Sequence, residues 1–522
     1  MFEIERTDNA ASFRLCSLRL FDHPILHNIS LRFCNKYDTS NSVYTTVIIG
    51  ENGIGKSFLL GSVAEIFCYL EKLIVTSIAT PPRYYFDIEY KLNNHRIKFT
   101  NFTGDKPNGV RRIFKQYFLY KDGFEINLDM KALPRRVIAS ATTIADKFVA
   151  RSTEMFRYKG LRNENSPSTT GTRTMVRKTV LSLLESLDIK SGFRQELRDL
   201  LRFLKLGPRL ELSYRLKYSN DLIQNNIEAL HLKKILEHNR NRNRESYLDG
   251  PRDRYVDRVP MLWEDQEHER FVDDEERRRY ELAAAFYRKL SIRGERSNYL
   301  RYNLLEEENK VNEDKEALKA LDSLNLLSYP SLKVFKINDG YEFDNSSSGE
   351  SSLFCQLVNI MSVIEPGSMV LIDEPESSTH PNWQIRYMKW IEHIFPKYNT
   401  CHFVVTTHSH LLLSDLKEDN SFIIALSRDR DTRQIINMSE GINTYGWSTD
   451  DILYEVFGIR NKHNKALERD LERAVQLLEE KDPLSIDEIN RIIERFNKVY
   501  RGVKDPLGKF IAELKDYAES RS

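Results

Sequence analysis

The sequence predicts an α/β fold: a mixed sheet built around a phosphate-binding loop, with an antiparallel β subdomain, a helical insertion and a helical C-terminal tail. Three observations predict it. An apolar, β-branched run from Val43 to Ile49 ends in glycine, passes through a glycine-rich loop and enters an amphipathic stretch from Lys56 to Leu73. Two further apolar runs, Met369 to Ile372 and Phe403 to Thr407, arrive more than 300 residues later. In between, residues 175 to 330 exchange β texture for leucines at helical spacing.

The elements follow in order. Residues 13 to 49 read as short strands and turns. Leu59, Leu60, Val63, Ile66 and Phe67 mark the buried face of the helix from Lys56. Residues 84 to 130 alternate apolar and polar side chains, the pattern of antiparallel hairpins, and Val137 to Ser140 is a strand entering a polar loop. Leu181, Leu184 and Leu187, then Leu197, Leu200, Leu201 and Leu204, mark amphipathic helices in the insertion. Residues 238 to 300 are crowded with charge. A solvated helix face or loop is the plainer reading, and interleaved acids weaken the alternative of a basic surface for nucleic acid. Strand texture returns at Leu332 to Phe343. After residue 460 the chain is helical, with Leu467, Leu471, Ala474 and Leu478 in one stripe and a capping box at Ser485 to Glu488. The divisions expected are 1–174, 175–330, 331–460 and 461–522.

Composition limits the function classes. A chain of 522 residues exceeds one ordinary domain. Its 78 Lys and Arg against 77 Asp and Glu leave a net charge of +1, so any nucleic-acid contact must be a local patch. Cys16, Cys34, Cys68, Cys355 and Cys401 are scattered without metal-binding spacing and read as reduced thiols, some of them buried. The N-terminus lacks the basic-then-apolar order of a signal peptide, and no run approaches the ~18 apolar residues of a membrane span. A cytoplasmic location without membrane contact is expected.

Gly50-Glu51-Asn52-Gly53-Ile54-Gly55-Lys56-Ser57 fits GxxxxGK[ST], placed directly after a strand and before a helix. In that context Gly50, Glu51, Asn52, Gly53 and Gly55 supply the backbone that wraps a phosphate of ATP, and Lys56 reaches its β- and γ-phosphates. The Ser57 hydroxyl is a ligand for Mg²⁺, opposite Asp373 at the tip of the strand Ser368 to Asp373. Glu374 follows as the residue to orient or deprotonate a water. Asn345 to Ser351 is a serine-glycine turn before a helix expected over Ser352 to Ile364; alone it could equally be a linker. His408 leaves the strand Phe403 to Thr407 toward the edge that carries Glu374, where it can touch a γ-phosphate. His410 has a weaker case.

The order GxxxxGKS, long insertion, SSSGE, LIDEPE, TTHS resembles the ABC-type ATPases of the SMC, RecF and OLD families. The resemblance implies two heads that sandwich two ATP molecules, with Ser348 and Gly349 acting in trans on ATP held by Lys56. Ser377, Ser378 and Thr379 would then cross the dimer interface. Glu350 and Ser351 depart from the LSGGQ form. No glutamine follows the strand Val137 to Ser140, so Thr142, Thr143 or Asp146 would have to serve in its place.

LPRRVIASATTIADKF, YKGLRN and INTYGWSTDDILYEVFGI resemble the narrower Septu-type (PtuA) ATPases of anti-phage defence, found alone or in retron cassettes. That resemblance implies a homo-oligomer that restrains a partner HNH-type nuclease, with a retron reverse transcriptase and its msDNA, or DNA itself, as further contacts. An intrinsic nuclease is not expected, because Asp429-Arg430-Asp431 lies between two strand-like runs and reads as a hairpin turn. The competing function is a repair or recombination ATPase that clamps DNA, disfavoured by the absence of sustained heptads in the insertion. A transporter subunit is disfavoured by the insertion and the missing glutamine.

Overall fold

The structure, a computed structural model, describes residues 12–35, 42–102, 117–162, 172–189, 192–217, 222, 227–245, 271–293, 298–336, 340–342, 348–377, 379–414, 416–429, 435–440, 444, 446–447, 451–452, 465–480, 486–499 and 507–519. It divides into two compact units, Met1–Ile452 and Leu453–Ser522.

The first unit opens with β1 (Phe13–His23), β2 (His27–Arg32), β3 (Tyr44–Gly50) and α1 (Lys56–Thr76). Then come β4 (Tyr85–Leu92), β5 (His95–Thr100), β6 (Phe118–Lys121), β7 (Phe124–Glu125), β8 (Val137–Ala141) and β9 (Phe156–Tyr158). One antiparallel sheet runs β2-β1-β4-β5-β6-β7, as the alternation over 84 to 130 predicts. The stretch from 13 is a single eleven-residue strand rather than short pieces. Its every-other residues Phe13, Leu15, Leu18 and Leu20 are buried, with register slips between Leu15 and Ser17 and after Leu20.

A second sheet carries the site. It needs β14 (Met369–Asp373), β15 (His402–Thr407), β16 (Ser421–Arg428) and β17 (Ile435–Glu440), and its order is β17-β16-β3-β15-β14-β8-β9. All neighbours are parallel except the β16–β17 pair. Strands buried on both faces need continuous apolar runs, and VLID, FVVTT and TVII supply them. α1 lies between the two sheets; Phe67 meets Phe13 and Tyr90 edge-on or tilted, at centroid distances of 6.1 and 5.5 Å. His402 straps the sheets together. Its Nδ1 accepts from the Leu15 N–H at 2.9 Å, which leaves Nε2–H to donate to Thr46 Oγ1 at 2.8 Å. Burial holds that ring's pKa well below its ordinary value, so it stays neutral.

The insertion holds α2 (Thr172–Ile189), α3 (Phe193–Phe203), β10 (Leu206–Arg215), α4 (Ala229–Glu245), α5 (Asp274–Ile292), β11 (Tyr299–Asn303) and α6 (Glu308–Ser323). It is not purely helical. β10 and β11 join β12 (Ser331–Lys336) and β13 (Gly340–Glu342) in a four-stranded antiparallel sheet ordered β11-β10-β12-β13. The period-two signal was present in Leu210, Leu212 and Tyr214, all buried, but it follows directly on a helical leucine stripe. α7 (Ser348–Val363) precedes β14, and α8 (Pro381–Ile394) follows it. α7 begins four residues earlier than the helix expected from Ser352, so Ser348 and Gly349 form its first turn.

The second unit contains α9 (Lys465–Glu480), α10 (Ile486–Val499) and α11 (Leu507–Glu519) around Ala474, Leu477, Ile489, Ile492, Phe496 and Leu514. Leu471 and Leu478 of the predicted stripe pack on this core. The Leu467 side chain and Ser485 lie outside the described residues. None of the five cysteines forms a disulfide, and Cys34, Cys355 and Cys401 are buried. Among the described residues no helix is long and apolar enough to cross a membrane.

Candidate nucleotide site

Parallel strands deliver their C-terminal tips to one edge of a sheet, and ligands of open α/β sheets bind there. Here β3, β15, β14 and β8 end side by side, so the loop after Gly50, His408 after Thr407, Glu374 after Asp373 and Thr142 after Ala141 converge. β15 stands between the loop strand and the acidic strand, which places a histidine between a lysine and a glutamate distant in sequence.

Two glycines of the loop answer to specific constraints. Gly55 has φ +105°, and a Cβ there would come within 2.5 Å of Leu26 Cδ2. At Gly50 a Cβ would meet the Leu426 carbonyl oxygen at 2.5 Å, because β16 runs alongside. Glu51, Asn52 and Gly53 are exposed. The Gly53 carbonyl accepts from Arg428 Nη2 at 3.3 Å.

Lys56, only 3% exposed, donates to the carbonyls of Gly50 and Glu51 at 2.7 and 3.1 Å. Its Nζ lies 2.9 Å from His408 Nδ1, and His408 Nε2 lies 2.8 Å from Glu374 Oε1. An ammonium only donates, so Nδ1 accepts and Nε2–H points at the carboxylate. The three groups form one directed chain. Burial lowers the Lys56 ammonium to about 8, against the pull of Glu374, Glu376 and Asp373. The hydrogen bond from His408 holds Glu374 below the usual carboxylate range, helped by the charge of Lys56.

Ser57 Oγ donates to Asp373 Oδ1 at 3.0 Å, and Thr406 Oγ1 donates to the same atom at 2.6 Å. Asp373 is 2% exposed. Burial pushes it up to about 6, with repulsion from Glu374 and Asp146 added and the two hydroxyls opposing. Among the described residues it touches hydroxyls and no cation. A divalent ion would supply the missing charge, and Mg²⁺ characteristically takes one or two protein oxygens and completes its shell with phosphates and water. The residues therefore fit the metal.

Glu374 holds a backbone φ of +48°, a left-handed conformation that costs a side-chain-bearing residue about 1–3 kcal/mol. Its N–H donates to the Thr406 carbonyl at 3.1 Å, and its own carbonyl accepts from Thr142 Oγ1 at 2.9 Å. Glu376 accepts the His408 N–H at 2.5 Å, and burial raises its pKa. Of the three residues weighed for the missing glutamine, Thr142 touches this site. Asp146 is taken by Tyr158 and Arg162 at 2.9 and 2.5 Å, and Thr143 joins none of these bonds.

The structure thus brings Lys56, Ser57, Asp373, Glu374 and His408 together. Ser348 and Gly349 open α7, which packs on α2, and the cluster is built without them. His410 begins a 3-10 turn beyond the cluster. Ser378, Arg430 and Asp431 lie outside the described residues; the strands flanking the last two pair as a hairpin. Thr406, Glu376 and Arg428 were given no role by the sequence, and Thr142 only that of one of three replacements for the glutamine. Thr406 and Glu376 sit inside the TTHS and DEPE runs, which was the available signal.

Fold and site together define an α/β protein built around a GxxxxGKS loop, with Asp373, Glu374 and His408 on neighbouring strand tips. Within that class the chain is similar to a Septu protein, PtuA of Bacillus thuringiensis, at 31% identity over 93 residues. That match covers 17% of this chain and only 22% of the relative's length. The family model described as "AAA domain, putative AbiEii toxin, Type IV TA system" matches residues 166–414, a span with Asp373, Glu374 and His408 but without Gly50 to Ser57. Among solved structures, the SMC head domain from Thermotoga maritima aligns over 82% of this chain and 99% of its own, at 11% identity and TM-score 0.32. The recombination mediator protein RecF-ATP aligns over 80% and 97%, at 15% identity and TM-score 0.27.

Proposed function

We propose that this chain binds ATP with Mg²⁺ at Gly50 to Ser57, hydrolyses it when two copies meet, and thereby controls a partner effector, an HNH-type nuclease, in anti-phage defence. The observation that carries the chemistry is the chain Lys56–His408–Glu374 beside the pair Ser57–Asp373. Lys56 offers its ammonium to the β- and γ-phosphates. Ser57 and Asp373 would hold Mg²⁺, which would supply positive charge against the phosphates. Glu374 takes the proton of the attacking water, and His408 keeps that carboxylate ionised and aimed. The first turn of α7, with Ser348 and Gly349, has the N–H donors of a helix N-terminus to offer a phosphate held by a second copy. The defence role and the nuclease rest on similarity to PtuA.

The test has two arms. Turnover per chain should rise with protein concentration and then saturate; turnover independent of concentration means no composite site. Isolation of the tagged chain with its native operon neighbours, read by native mass, should recover a nuclease in fixed ratio. Recovery with DNA and repair factors instead moves the reading to a DNA clamp.

Thr142→Val removes one hydroxyl at nearly constant volume and frees the Glu374 carbonyl. A lost hydrogen bond of about 1 kcal/mol corresponds to a drop in kcat of about fivefold, with ATP affinity unchanged. Thr142→Ser should restore it. An equal loss in the serine variant, which keeps the hydroxyl, would show that the bond to the Glu374 carbonyl is not what sets the rate.

Acid and base act on different residues. Below about 6, Asp373 takes up a proton, so Mg²⁺ must compete for it and half-maximal turnover needs more metal. Above about 8, Lys56 loses its charge and nucleotide affinity falls. Titrations of metal and nucleotide across this range check both edges. A metal requirement that ignores pH removes Asp373 from the shell.

A further inference from the structure

A cavity of about 380 Å³ lies in the insertion among α5, β11 and α6, lined by none of the residues of the nucleotide site. Its floor is apolar: Phe286, Leu290 and Leu300 are all buried. Four cations, Lys289, Arg293, Arg301 and Lys310, line it against one carboxylate, Asp314. That carboxylate is already engaged, accepting from Lys289 Nζ at 2.6 Å and from the Tyr302 hydroxyl at 3.0 Å. Arg293 stands 3.8 Å from Glu313, a long contact between exposed groups that contributes little, whereas Lys310 donates to the Arg301 carbonyl at 3.1 Å and lies 5.2 Å from the Tyr302 ring centroid, with Glu307 at 3.9 Å. The Arg301 guanidinium has no hydrogen-bond or ion-pair partner among the described residues. Two aromatic rings complete the lining, Tyr302 and Tyr299, the latter 57% exposed.

The ligand must satisfy both halves of this lining. A small inorganic anion would leave most of the 380 Å³ unfilled, and a wholly apolar ligand would leave the Arg301 guanidinium without compensation. A flat ring joined to a phosphate meets both demands, because guanidinium forks match phosphate oxygens and aromatic rings stack on bases. The volume lies within the ~300–1,000 Å³ range of small-molecule sites. We propose that this cavity binds a nucleoside phosphate, with the base against the exposed ring of Tyr299 and the phosphate at Arg301, Lys310 and Arg293. Free nucleotides and the 5′-phosphorylated end of a single strand share this chemistry.

The experiment uses the full chain carrying Lys56→Ala, so that the loop at Gly50 does not contribute. Nucleoside monophosphates, a 5′-phosphorylated oligonucleotide and inorganic phosphate are titrated separately by calorimetry. Saturable binding of a nucleotide or the oligonucleotide is expected, weakened at least tenfold by Arg301→Ala with Lys310→Ala, both exposed positions. Binding of monophosphates identifies the free ligand, and binding of the oligonucleotide alone identifies the strand end. No binding of either, binding unmoved by the double substitution, or equal binding of inorganic phosphate overturns the proposal. In the unsubstituted chain the same pair should reduce nucleotide stoichiometry from two per chain to one while ATP turnover persists. That second count separates failure of this site from failure of the loop.

Discussion

Nucleotide affinity falls by at least about 100-fold in Lys56→Ala, the equivalent of about 2.7 kcal/mol. The loss is large because a charge-assisted contact to phosphate disappears from a site where three carboxylates, Glu374, Glu376 and Asp373, already act on that ammonium. Without it their negative field faces the substrate directly. The substitution also removes the donor to His408 Nδ1, so the ring is freed to turn and Glu374 loses its fixed partner. Calorimetric titration with ATP checks the result, with a thermal melt to confirm folding. Affinity unchanged by the substitution would refute the loop assignment.

In Glu374→Gln, hydrolysis drops by about 10²–10⁴ while ATP binding survives. The amide retains an oxygen to accept from His408 Nε2–H, and the left-handed backbone is still held by the bonds from Thr142 and to Thr406. What disappears is a group able to take a proton. Paired heads should therefore accumulate with ATP bound, visible as a doubled native mass. Single-turnover kinetics check the rate. A variant with full turnover places the base elsewhere, and Glu376, adjoining the His408 amide, becomes the next residue to replace.

The parts legible in sequence are those whose chemistry is local. Gly50 to Ser57 declares itself because strand, loop and helix are contiguous. The DE and TH pairs declare themselves because each ends an apolar strand. What could not be read is set by strand pairing. Thr406 bonds Asp373 because the two are opposite one another in parallel register, and Thr142 reaches Glu374 because β8 is the next strand over. No periodicity along the chain contains that neighbour relation. The strands of the insertion were missed for another reason. The helix ends at Phe203 and β10 begins at Leu206, two residues intervening, so one leucine-rich stretch carries two periods in succession. The start of α7 was placed late because serine and glycine favour loops locally, whereas its buried Leu353, Phe354, Leu357 and Val358 draw the whole segment into the core.

One feature of the loop reaches beyond catalysis. Lys56 bonds to the carbonyls of its own loop and to His408, so the concavity meant for phosphate is lined by an internal cation already satisfied there. Association with nucleotide is then an exchange reaction. Three hydrogen bonds within the protein are traded for bonds to the ligand, and only the difference appears as affinity. A loop arranged in this way binds less tightly than its new contacts alone would give, by the free energy of the bonds it surrenders.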